Sequence, residues 1–220
     1  MNSSVRPVVV WDRPTRGFHW TAVALVAAAY ATWRLNWMDW HARIGDALLT
    51  LVFFRILWGF FGSETARFGR FLASPRRAAR HLAELWRREP DRQAGHNPAG
   101  GWMVVVLLSL MLGEALTGMY VANDVADEGP LTELTPAWIA NAITALHALL
   151  WEALLAAVAL HVAAIVVYLW VKGQNLLRPM ISGRKELPVG VPPPRMESLS
   201  RAAALLAGSA LIAAALVKFL

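Results

Sequence analysis

Four histidines, His19, His41, His147 and His161, stand inside or at the mouths of long apolar runs. An ionisable side chain in hydrocarbon is costly and is generally kept for a function. His147 and His161 are fourteen residues apart. That is close to four helical turns, so both imidazoles share one helix face, about 21 Å apart along its axis. Ligands so separated suit two stacked cofactors. A zinc or di-iron site instead gathers its ligands at one depth, often with carboxylates. The chain has no cysteine, which excludes iron–sulfur clusters, covalent c-type haem and thiolate ligands together. Two imidazoles can clamp a haem iron from opposite sides, and the cores of helical bundles house such sites. The alternative is four unrelated histidines, each hydrogen-bonded within a bundle.

The elements that must position these residues are long and apolar. Of 220 residues 57% are hydrophobic, and the mean hydropathy is +0.43. Five runs stand out, roughly Phe18 to Trp33, Ala47 to Phe61, Trp102 to Val121, Ile143 to Val171 and Ala202 to Leu220. With flanking residues, each can cover a hydrocarbon core of about 30 Å as a helix, the form that satisfies its own backbone in lipid. Ala27, Ala28, Ala29 and Ala31 resemble a signal-peptide cleavage region, but the first run is longer than a typical signal-peptide core. In the fifth run Gly208 and Ser209 favour close helix packing. A helix lying on the membrane surface is the alternative there.

The net charge is +6 and the pI about 10.5. The basic residues sit in loops between apolar runs, the pattern of a membrane protein and not of a nucleic-acid binder. Arg6, Arg13 and Arg16 precede the first run. Arg67, Arg70, Arg76, Arg77, Arg80, Arg87, Arg88 and Arg92 follow the second. Lys172, Arg178, Arg184 and Lys185 follow the fourth, whereas Asp124, Asp127, Glu128 and Glu133 lie between the third and fourth. The positive-inside rule puts the N-terminus and the Arg-rich segment in the cytoplasm. His41 then pairs in depth with His147 near the outer surface, and His19 with His161 near the inner one.

Ser74-Pro75 reads as a helix start, and Ala78, Leu82, Leu85 and Trp86 give that helix one apolar face for the membrane surface. Thr135-Pro136 starts the fourth helix well before its apolar run. Leu187 to Pro194, with four prolines, reads as a stiff linker. Trp33, Trp37 and Trp40 form an outer aromatic belt. His81 reads as solvated. His96, before Asn97-Pro98, has a capping or turn role, with a proton or quinone contact as the alternative. Glu114 and Glu152 are either proton carriers or hydrogen-bonded carboxyls, and Glu152 faces away from His147.

The segment Trp11-Asp12-Arg13-Pro14-Thr15-Arg16-Gly17-Phe18-His19-Trp20 resembles the opening motif of the bacterial cytochrome b-561 family, which includes the cytochrome b subunit of nickel–iron hydrogenases. Trp40-His41, Arg55-Ile56-Leu57-Trp58-Gly59, Gly95-His96-Asn97-Pro98, Leu116-Thr117-Gly118, the His147/His161 helix and Ile181-Ser182-Gly183-Arg184-Lys185 resemble further blocks. The resemblance spans roughly residues 8 to 185. It implies a four-helix bundle, two b haems each ligated by two histidines, and redox exchange with membrane quinone. The four histidines singled out by depth match the family's ligands.

The expected fold is therefore an all-α integral membrane protein, a four-helix transmembrane bundle holding two haems plus a fifth transmembrane helix. Residues 1–185 form the bundle, 186–200 a Pro-rich linker and 201–220 the added helix. The expected function is electron transfer at a bacterial inner membrane between quinone and a periplasmic c-type cytochrome or hydrogenase-like protein. No nucleic acid is involved, and an oligomer is compatible with the sequence. The competing readings are a self-contained superoxide:quinone oxidoreductase and a non-redox haem carrier or scaffold. Arg55 lies fourteen residues beyond His41 on nearly the same face. It is expected to pair an inner-haem propionate with two parallel hydrogen bonds. Arg16, one turn before His19, is its rival, and snorkelling of Arg55 to lipid headgroups is the alternative.

Overall fold

A computed structural model describes residues 5–86, 91, 93–121, 131–132 and 135–219. Along the chain run β1 (Val5–Val9), α1 (Arg13–Arg34), α2 (Met38–Phe61), α3 (Phe68–Phe71), α4 (Pro75–Ala83), α5 (Pro98–Gly118), α6 (Ala137–Val167), α7 (Leu177–Ser182), β2 (Arg184–Pro188) and α8 (Leu199–Phe219). A π-helical turn, Tyr168–Lys172, continues α6. Most of the acidic segment (Asp124, Asp127, Glu128, Glu133) and Arg87, Arg88 and Arg92 lie outside the described residues.

Among the described residues, four helices are long and apolar enough to cross a membrane: α2, α5, α6 with its π turn, and α8. Helix α1 has the length, 22 residues. However, Arg13, Arg16, His19 and Arg34 dilute its apolar character. Helix α6 and its extension reach 36 residues, about 54 Å of helix, more than a bilayer core requires. It starts directly after Pro136, as the Thr135-Pro136 pair predicts.

The chain divides into two compact units. The first holds residues 1–17, 56–106 and 157–203. Here β1 pairs antiparallel with β2 in the register Val5↔Pro188 to Val9↔Arg184. Val8, Val10, Trp11 and Leu187 form the core beside this sheet. The structure is mostly helical, as expected, with this one short sheet added, and Leu187-Pro188 lies in strand β2. A two-stranded sheet accepts Pro7 and Pro188 because each strand keeps one edge outside the ladder. The proline-rich segment that follows is also tied down. Glu64 N–H donates to Arg195 O at 2.9 Å, and Glu197 N–H to Ser63 Oγ at 2.9 Å. Arg67 pairs with the Glu197 carboxylate at 3.0 Å.

The motifs near both ends of the bundle meet in this unit. Buried Asp12 accepts from Thr15 N–H at 2.6 Å, capping α1, and from Trp58 Nε1–H at 3.0 Å. Gly59 is required by packing, since a Cβ there would come 2.0 Å from the Phe68 ring. Gly183, at φ +80°, ends α7, and its carbonyl accepts from the N–H groups of Val10 and Trp11. A Cβ on Gly183 would also come 2.9 Å from Trp11 O. Ser74 caps α4 through Arg77 N–H, with Pro75 at the first helical position.

The second unit holds residues 18–55, 107–156 and 204–220. Leu49 of α2, Met119, Leu131 and Ala213 of α8 form its core. Ser209 is fully buried, whereas Gly208 faces open space. The small-residue packing expected of α8 thus falls on Ser209. Tyr30 of α1 stacks on Trp151 of α6, centroids 5.5 Å apart and planes 13° apart. Asn36, at φ 57°, turns α1 into α2, a conformation that asparagine tolerates. Trp33, Trp37 and Trp40 around this turn are exposed, as a belt requires.

Candidate haem-binding site

His41 and His147 both lie in the second unit. His41, near the start of α2, points Nδ1 at Ala29 O of α1, 2.9 Å away. A carbonyl only accepts, so His41 carries its proton on Nδ1 and its lone pair on Nε2. His147 of α6 is held from α5. Its Nδ1 lies 3.0 Å from Glu114 Oε2 and 3.0 Å from Thr117 Oγ1. The Thr117 hydroxyl donates to Gly113 O at 2.7 Å. The hydroxyl proton is thereby committed, so Nδ1–H of His147 is the donor to both oxygens. The lone pair again falls on Nε2. Anchoring the far nitrogen in this way fixes the orientation and tautomer of a metal-binding imidazole.

The surroundings fit a bulky cofactor. Gly118 lies against His147, where a Cβ would come 3.3 Å from Cε1. Glu114 Oε1 is buried without a hydrogen bond among the described residues. Glu114, Thr117 and Gly118 share one face of α5 by their three- and four-residue spacing. The Leu116-Thr117-Gly118 block therefore has a local meaning, which is to seat and orient His147. Sequence reasoning noted Glu114 and this block but did not join them to His147. The joining depends on the register between α5 and α6, which neither helix encodes alone. Glu152 is exposed.

His19, in the second unit, meets Trp20 edge-on with centroids 4.9 Å apart. His161, in the first unit, is half-buried on α6. Arg55 is only 2% exposed, so its guanidinium does not snorkel to a surface. Arg16 Nη1 donates to Ile181 O at 2.6 Å, and the guanidinium packs beside Gly183. That commits part of Arg16 to the α7 turn.

The two remaining histidines are in the first unit. His96 sits against Trp11 at 4.6 Å and Phe71 at 4.7 Å between ring centroids. The capping role next to it belongs to Asn97, whose Oδ1 accepts from Gly100 N–H at 2.7 Å. His81 is half-buried and not simply solvated, because its Nε2 shares a 2.6 Å hydrogen bond with the Tyr168 hydroxyl. Among the described residues, no three His, Asp or Glu side chains gather around a bare metal ion.

A family model described as prokaryotic cytochrome b561 matches residues 10–183. No curated protein and no solved structure matches the chain.

Proposed function

Because the chain belongs to the prokaryotic cytochrome b561 family, we propose that it carries electrons across a bacterial inner membrane between quinone and a periplasmic redox protein. Membership makes it a multi-pass membrane b-type cytochrome. In the proposed arrangement the N-terminus is cytoplasmic, and α1 crosses the membrane with α2, α5, α6 and α8. Two haems b are held, one by His41 and His147 and one by His19 and His161, each through Nε2. Arg55 and Arg16 are the cations for haem propionates, and burial of Arg55 favours it for that task. The periplasmic protein is a c-type cytochrome or a hydrogenase-like subunit.

The observation that carries this reading is the orientation of His41 and His147. Both are anchored through Nδ1, which leaves Nε2 as a ligand atom. When bound, haem supplies reversible one-electron chemistry. The protein supplies fixed imidazoles, a carboxylate behind one of them and a low-dielectric setting that excludes water. A pyridine-haemochrome assay on purified protein should find about two haems per chain, the number that two bis-imidazole pairs can hold. Replacing His41 or His147 by alanine should remove the same haem, and replacing His19 or His161 the other. A parent value near one haem would falsify the arrangement. So would His41 and His147 variants that perturb different haems.

A further inference from the structure

Helix α6 changes geometry in its last turn. Residues Tyr168–Lys172 are π-helical and end at Gly173, φ 69°. Tyr168, the first residue of this turn, is 5% exposed. Its hydroxyl shares a 2.6 Å hydrogen bond with His81 Nε2, and the two rings stack with planes 29° apart. His81 is on α4, where Arg76, Arg77 and Arg80 are exposed. The Asp91 carboxylate pairs with Lys185 Nζ at 2.5 Å. Lys172, at the end of the turn, is also buried.

Tyr168 lies seven residues after His161 on one continuous helix. Seven residues are about two turns, so Tyr168 shares the face of His161, about 10.5 Å further along the axis. A buried phenol beside an imidazole that reaches a basic surface element is suited to passing protons. The phenol is neutral and therefore inexpensive to bury. The imidazole exchanges protons with water near neutral pH.

We propose that Tyr168 and His81 form the proton-donating pair for a quinone reduced beside the His161 haem. This rests on the quinone-linked electron transfer proposed above. Reduction of one quinone to quinol takes two electrons and two protons and forms two O–H bonds. One electron would come from each of the two proposed haems, each going from ferrous to ferric. Each proton leaves the Tyr168 oxygen for a quinone oxygen. His81 replaces it across the 2.6 Å bond, and water on the cytoplasmic side recharges His81.

The test uses the full-length, haem-loaded protein in nanodiscs. Dithionite-reduced protein is mixed with a short-chain ubiquinone or with ferricyanide, which accepts electrons without protons. Haem content and potentials are measured in parallel. In Tyr168→Phe and in His81→Gln, oxidation by quinone should slow about a hundredfold, the usual scale of a lost general acid. Oxidation by ferricyanide, haem content and potentials should stay at parental values. The parent should show a deuterium solvent isotope effect with quinone and none with ferricyanide. His81→Gln carries the test if the tyrosine variant does not fold. Slowing of less than about tenfold with quinone overturns the pair. Equal slowing with both oxidants also overturns it, because that marks a purely structural bond between α4 and α6. A parent protein that quinone does not oxidise at all overturns the quinone reading itself.

Discussion

At the scale of single residues, the proposed site depends on groups one step behind the proposed ligands. Glu114 and Thr117 take the Nδ1 proton of His147. A carboxylate in that position makes the imidazole a more basic ligand and favours ferric over ferrous iron. Glu114→Leu should therefore raise the midpoint potential of the His147 haem in a potentiometric titration. It should also weaken haem retention by about 10- to 100-fold, the usual range for such outer-shell changes. An unchanged potential would show that the hydrogen bond does not tune the iron. Arg55 gives a second prediction. With its guanidinium buried, Arg55→Leu should shift the potential or lower the occupancy of the His161 haem while sparing the other. Equal effects on both haems, or none, would remove the propionate role. Spacing and depth single out the histidines in the sequence. Their anchors were not legible there, because Ala29 O, Glu114 and Thr117 reach the rings from neighbouring helices, and sequence spacing carries no register between helices.

At the scale of elements, the helices follow from the apolar runs and from local punctuation. Ser74-Pro75, Asn97-Pro98 and Thr135-Pro136 each mark a helix start. The strands were not legible. Val5–Val9 and Arg184–Pro188 are five residues each, carry prolines and charges, and pair only with each other. No local pattern announces a partner so distant in the chain. The N-terminal family block gains a structural explanation at this scale. Asp12 caps α1 and also holds Trp58, while buried at 5% exposure. Asp12→Ala removes the cap and leaves the indole N–H without its acceptor, a combined cost of about 2–4 kcal/mol. A lower thermal midpoint with retained haem spectra is the expected result, read by following aggregation or tryptophan fluorescence on heating. Asp12→Asn, which keeps a capping oxygen, should recover much of the loss.

At the scale of the whole molecule, charge decides orientation. In the proposed orientation the positive-inside rule puts the segment after α2, with Arg76, Arg77 and Arg80 of α4, on the cytoplasmic side. Reporter fusions at residue 88 should give a cytoplasmic signal, and fusions at residue 128 an outer one. A fusion at residue 220 tests α8 separately. This helix is apolar enough to cross, and its Ala213 is buried with Leu49 and Met119. A cytoplasmic signal there would mean that α8 enters without crossing.

The pairing of β1 with β2 has a consequence for how the chain is made. The ribosome releases Val5–Val9 well before Arg184–Pro188, which emerges only after α1, α2, α5 and α6 have been synthesised. Throughout that interval the first strand has no ladder, and Val8 and Val10 lack the covering that Leu187 later provides. Joining contacts so far apart in the chain carries a loop-closure cost, which falls only once the intervening helices have folded and drawn the two segments together. The sheet therefore acts as a clasp that shuts at the end of biogenesis. Nascent chains that stop before residue 184 leave it open, with hydrophobic side chains exposed to quality-control proteases.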